Sequence, residues 1–343
     1  MMTRWTQWAS TRALAEGIRR VNRAPAILLG VWTITAAVSV PATLVLRAAI
    51  AGHLGKSLAA DSAASGVNYE WWQEFSDQAS GVGATFRPTI IGFGAVLDNL
   101  SAFIDNQRSP LVIAGVATAY LILWLFLAGG IINRFARARR TRAHEFFAAC
   151  GVFFFRFARL GVVMWLAYAA LFRGLHEWLL GPSVYDRLTR DVTAERTAFA
   201  IYLLLTIVFG LLLAACNLVF DYAKVRAVVE DRRSMLGAIA ASVGFIRRNA
   251  GAAAAVYAAD FALFLVVIAL YSLVAPGAGV SVWASFLVGQ LYVIARLWVK
   301  LVFWASEAAL FQGRLTHAGY VAAPKPAWPD SPMAEAINRS AGL

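Results

Sequence analysis

Residues 251–274 read GAAAAVYAADFALFLVVIALYSLV, and residues 281–304 read SVWASFLVGQLYVIARLWVKLVFW. Only APGAGV (275–280) lies between them. About 20 helical residues cross the hydrocarbon core of a bilayer, so each stretch is long enough to span it. A short Pro/Gly connection makes the two an antiparallel pair. Three charges interrupt the apolar runs, Asp260, Arg296 and, nearer the end of the second, Lys300. Counted from ends at 251 and 304, Asp260 and Arg296 both fall about 12–14 Å from the same membrane boundary at 1.5 Å per residue. A lone charge at depth costs roughly 2.5–3.5 kcal/mol. The expected arrangement is therefore an Asp260–Arg296 ion pair that clamps the hairpin in register. The alternative is that the two residues line a substrate or proton pathway. Lys300, one turn further in, is expected to snorkel to the interface.

Working outward, four more stretches can span: 26–46, 111–132, 160–180 and 198–219. Pro41 is expected to kink the first of these without ending it. That stretch is too long for the apolar core of a secretory signal and follows a 25-residue basic segment. The composition agrees, at 60% hydrophobic and 15% charged, with a mean hydropathy of +0.64. Soluble domains are nearer 45–50% apolar and about 25% charged.

Charge sets the orientation. Residues 1–25, 133–159, 221–249 and the region from Lys300 onward hold 22 of the 31 Lys and Arg residues. The intervening segments 47–110, 173–196 and 275–280 hold four, four and none. Positive charge stays in the cytoplasm, which places both termini there. The formal net charge of +12 is thus read as anionic lipid at the inner face, because no motif of a nucleic-acid reader occurs. Cys150 and Cys216 have neither metal-site nor redox spacing and are expected as free thiols.

Three stretches are alike: ALAEGIRRVNRAPAILLGVW, FFAACGVFFFRFARLGVVMW and GAIAASVGFIRRNAGAAAAVY. Aligned on Arg23, Arg156 and Arg248, each has an aromatic nine residues later: Trp32, Trp165 and Tyr257. Apolar residues precede the arginine at helical spacing. The pattern predicts three copies of one unit: an amphipathic helix on the inner interface, a basic elbow and a transmembrane hairpin. Ser234 is the expected N-cap of the third amphipathic helix.

The outer segment 53–108 predicts two amphipathic helices. In VNYEWWQEFSDQASG (67–81), Glu70, Glu74 and Asp77 share one helical face, with Trp71, Trp72 and Phe75 beside it. Such a face suits either a cation or sugar site or a solvated surface with interfacial anchors. The second helix is expected to begin near Pro88, with a stripe of Ile90, Phe93, Leu97 and Leu100. His53 alone supports no metal site. The chain carries no P-loop, HExxH or GxSxG, so no catalytic residue and no cofactor is expected.

FDYAKVRAVVEDRRSMLGAIAASVGFIRRN (220–249) and VNYEWWQEFSDQASG resemble a group of uncharacterised bacterial six-span membrane proteins. More loosely, the order of interfacial helix, basic elbow and hairpin resembles the membrane domain of some glycerophosphodiester phosphodiesterases, without their soluble catalytic barrel. The resemblance implies a six-span fold in a bacterial inner membrane and no catalytic residues. In the elbow, Asp221, Glu230 and Asp231 are expected to pair with Arg226, Arg232 and Arg233.

The sequence therefore predicts an all-α polytopic protein. Residues 1–312 form a six-helix membrane domain of three hairpins with interfacial helices and an outer helical segment, and 313–343 form a cytoplasmic proline-containing tail. The leading functional expectation is a non-enzymatic scaffold or accessory subunit that engages lipid, with a protein partner or a second copy of itself. The second is a transporter or exporter of a small or lipidic solute, and the third a lipid-headgroup enzyme.

Overall fold

The computed structural model describes residues 4–55, 57–65, 68–87, 101–102, 104–106, 111–137, 139–276 and 280–315. Among these there is no strand, and six helices are long and apolar enough to cross a membrane. In chain order the helices are α1 (Arg4–Asn22), α2 (Pro25–Leu54), α3 (Ala60–Ser65), α4 (Tyr69–Gln78), α5 (Leu111–Arg137), α6 (Ala143–Ala170), α7 (Glu177–Leu180), α8 (Tyr185–Thr189), α9 (Glu195–Val229), α10 (Met235–Arg248), α11 (Ala250–Val274) and α12 (Val282–Arg314). A π turn over Leu171–His176 joins α6 to α7. The spans are α2, α5, α6, α9, α11 and α12, the third continuing into α7 and α8. The stripe expected from Pro88 to Leu100, the turn at 277–279 and the tail from 316 onward lie outside the described residues.

α2 runs unbroken through Pro41. Ser234 caps α10 as expected, its hydroxyl accepting from the Gly237 amide at 3.2 Å. The elbow differs in part from expectation. Glu230 accepts from Arg226 and Arg232, but Asp231 meets Arg156 of α6 at 2.6 Å and Asp221 meets Lys224 at 2.7 Å. Asp221 and Lys224 lie three residues apart on one helix, which suits such a pair.

The three amphipathic stretches pack in one cyclic pattern. Each lies on the even-numbered span before it in the chain, and the first closes on the last: α1 on α12, the start of α6 on α5, and α10 on α9. Small residues allow the approach. A β-carbon on Gly17 of α1 would lie 2.7 Å from the Ser306 amide nitrogen of α12. One on Gly130 of α5 would lie 2.5 Å from the Cys150 sulfur of α6. On α10, Ser242 is fully buried, and the Ala241 carbonyl accepts from Arg226 of α9 at 2.6 Å. The lines Ala13–Gly17–Val21 and Met235–Ala238–Ser242–Phe245 are thus buried against protein, while Leu14, Ile18, Ile239 and Ile246 of the stripe expected to dip into lipid are half-buried. Leu236 and Val243 of α10 stay exposed. The chain breaks between α1 and α2 and between α10 and α11, whereas α6 passes its elbow at Arg156 as one helix.

These contacts gather the basic segments at one end of the bundle. Arg20 donates to the Phe135 carbonyl and to Gln312, and Gln312 donates to the Ala136 carbonyl at 2.7 Å. The core sits at this end, in Ile131, Phe135, Tyr222, Val225, Phe245, Leu301 and Phe311. α12 is its hub, touching α1, α2, α5, α9 and α11. Many residues on the far halves of the spans, such as Leu44, Phe199 and Leu270, are exposed, as lipid-facing positions are.

Candidate functional site

The Asp260–Arg296 pair does not form. The Asp260 carboxylate is fully buried and accepts from the Ser306 hydroxyl at 2.5 Å. Arg296 is exposed, with its guanidinium 5.5 Å from the Tyr292 ring. The cause is register. α12 does not end near 304 but continues to Arg314, so the hairpin aligns Tyr271 with Tyr292 and Tyr257 with Phe303. Asp260 then meets Ser306, ten residues and about 15 Å along the helix from Arg296.

Arg296 instead lines a cleft of about 760 Å³ between α5, α6, α9, α11 and α12. Each helix contributes by its own chemistry. α5 and α6 supply apolar and aromatic wall, including Trp124, Leu125, Phe157, Met164 and Trp165. Wall residues Leu121, Val162 and Trp165 are also exposed on the outside of the bundle, Trp165 at 68%. The cleft therefore meets the lipid-facing surface along its apolar side. α9 adds Asn217, Asp221 and Lys224, each one turn or about one turn apart and so on a common face. α12 adds Arg296 and Lys300 in the same way.

A polar chain crosses three of these helices. The Tyr168 hydroxyl donates to Asn217 Oδ1 at 2.9 Å, and Asn217 Nδ2 donates to the Tyr257 hydroxyl at 3.2 Å. All three residues line the cleft. Lys300 does not snorkel. Its Nζ sits 3.4 Å from the Trp124 ring centroid and 5.9 Å from that of Trp304. A desolvated cation–π contact contributes about 2 kcal/mol, most of the roughly 2.5–3.5 kcal/mol that an intramembrane lysine costs. Lys224, Asp221 and Arg296 are the charges that act on it. The cleft thus carries three cations and one carboxylate, and among the described residues neither Lys300 nor Arg296 has a carboxylate partner. Trp165 and Tyr257, marked in the sequence as repeat positions, both lie in this wall.

The acidic and aromatic face of α4 divides. Trp71 and Phe75 are buried in a cluster with His53 and Phe86, the Trp71 indole donating to His53 Nδ1 at 2.9 Å. The Trp72 indole donates to the Phe86 carbonyl at 3.0 Å. Glu70, Glu74 and Asp77 are exposed, so the tryptophans serve packing while the carboxylates face outward. At the basic elbows, Arg23 and Arg248 are exposed, and Arg156 is held by Asp231. Among the described residues no group of three or more His, Cys, Asp or Glu could hold a metal ion.

No family model matches the chain, and neither a curated protein nor a solved structure does.

Proposed function

We propose that the protein binds an anionic amphiphile drawn from the bilayer, headgroup against Lys224, Lys300 and Arg296 and tail along the α5–α6 wall. This is the binding step of a transporter or exporter of a lipidic solute. The observation that carries it is the cleft's charge: three cations against one carboxylate, in a wall that is otherwise apolar and aromatic save for Asn217. Unpaired intramembrane cations are costly and call for an anion. Tyr168, Asn217 and Tyr257 offer hydroxyl and amide groups to the polar part of the same headgroup. The scaffold reading draws on a different feature, the dry Asp260–Ser306 contact, which suits a structural joint.

The setting we propose is a bacterial inner membrane with both termini cytoplasmic. Its support is the concentration of Lys and Arg in the segments gathered at one end. We also infer that the three amphipathic stretches with their spans are copies of one unit. Gly17, Cys150 and Ser242, each six residues before the aligned arginine, are small and buried in all three.

The test is lipid binding to the purified protein in detergent, read by native mass spectrometry. Phosphatidylglycerol should be retained over phosphatidylcholine. Lys300→Met with Arg296→Met should weaken it about 10–100-fold, the net loss of about one charged hydrogen bond at about 1.5–3 kcal/mol. Inorganic phosphate should bind far more weakly than the lipid. Equal retention of both lipids, or an unaffected double variant, overturns the proposal.

A further inference from the structure

Behind the cleft, where α9 meets α12, lies Glu307. It has no exposed surface, and neither of its carboxyl oxygens has a hydrogen-bond partner. The Tyr222 hydroxyl beside it on α9 and Asp260 Oδ1 on α11 are likewise buried and unpartnered. The charges that act on Glu307 are Asp221 and Lys224 from α9 and Asp260 from α11. Among the described residues no charged group of α1, α2 or α5 is one of those acting on it; there α1 presents Gly17 against Ser306. Lys224, the positive charge that acts on it, is bonded to Asp221 and faces the cleft.

The charge count then fixes a sign. Lys224, Lys300 and Arg296 are balanced by Asp221, Asp260 and Glu307 when all three carboxyls are ionised. A bare carboxylate with no donor costs several kcal/mol in a dry interior. One proton on Glu307 removes that charge and leaves a net +1 for an anion in the cleft to meet. An anion that draws Lys224 toward itself has the same effect from the other side, since it takes the positive charge away from Glu307.

We propose that Glu307 is a proton-binding site coupled to the cleft, so that the anionic headgroup enters together with one proton taken from water. This rests on the reading of the cleft as an anion site. The coupling is reciprocal: binding takes up a proton, and acid strengthens binding.

The test uses the full chain in nanodiscs with phosphatidylglycerol, a phosphodiester whose own charge is constant across the series. From mildly acidic to mildly alkaline buffer, the wild-type Kd should rise by up to about tenfold per pH unit, the slope for one linked proton. Glu307→Gln should bind with the affinity of the acid form and show a flat profile, while Asp260→Asn keeps the slope. Should Glu307→Gln not fold, an indicator dye in weakly buffered solution reads the wild type directly, with up to one proton taken up per lipid bound. A flat wild-type profile, an unchanged slope in Glu307→Gln, or no proton uptake overturns the coupling while the cleft stands. Absence of binding at every pH sinks the cleft reading and the coupling with it.

Discussion

Gly17→Ala sets two effects of known size against each other. Alanine is better than glycine inside a helix by about 1 kcal/mol, so on an open helix face the change stabilises. At Gly17 the added carbon would lie 2.7, 2.8 and 2.9 Å from the Ser306 nitrogen, Cα and Cβ. Two of those atoms are backbone of the hub helix and cannot rotate away, so α1 must move off α12. Overpacking of this kind costs about 1–3 kcal/mol, and contact with backbone puts it at the upper end. The net expectation is a loss of about 2 kcal/mol. At about 2 °C per kcal/mol for a large domain, melting falls by about 4 °C. Gly151→Ala in α6 is the control, because its added carbon meets nothing within 4 Å. It should raise melting slightly through propensity alone. Thermal unfolding in detergent reads both. If Gly17→Ala is as stable as Gly151→Ala, α1 does not dock on α12 as described.

Ser306→Ala leaves Asp260 without its one hydrogen bond and should cost about 1–3 kcal/mol in the same assay, whereas Arg296→Leu should leave stability unchanged; a large loss in Arg296→Leu would restore the ion pair expected from the sequence. Glu230, outside the spans, is pulled two ways. Burial raises its pKa, and the hydrogen bonds and charges of Arg226 and Arg232 outweigh this, so the net value is lowered. Its stabilisation is present above the ordinary carboxyl range and is lost as pH falls through the depressed folded value. Glu230→Gln should therefore melt lower than wild type at neutral pH, with the two curves converging in acid; a gap independent of pH would refute this.

The spans were legible because their apolar runs are long and the loops carry an asymmetric charge. Where a helix stops was less legible. The segment ASEAALFQGR (305–314) is too polar to count as membrane core, and counting from 304 sets Asp260 level with Arg296. Yet the same residues continue α12, and they hold both Ser306 and Glu307. The capping serine and the pairing of Glu230 with two arginines follow from local spacing, and both were readable. The cleft was not, because Tyr168, Asn217 and Tyr257 come from three helices far apart in sequence. Lys300 departs from the snorkelling expectation for a related reason. A snorkelling path depends on its own side chain, but its actual place depends on Trp124 of another span. The small residues Gly17, Cys150 and Ser242 carried a signal that could have been found, since large residues at those aligned positions would have forbidden the packing.

The docking of α1 on α12 has a consequence for biogenesis. Gly17 emerges from the ribosome about 290 residues before Ser306, its counterpart. At roughly 5–20 residues per second, that delay is about 15–60 s. Throughout that interval the N-terminal helix has no permanent seat, and the spans α2, α5, α9 and α11 wait in the translocon's vicinity without the rod they grip. The nascent chain can therefore settle only when its last segment arrives, and a transcript truncated ahead of that segment would leave quality-control proteases an unassembled substrate.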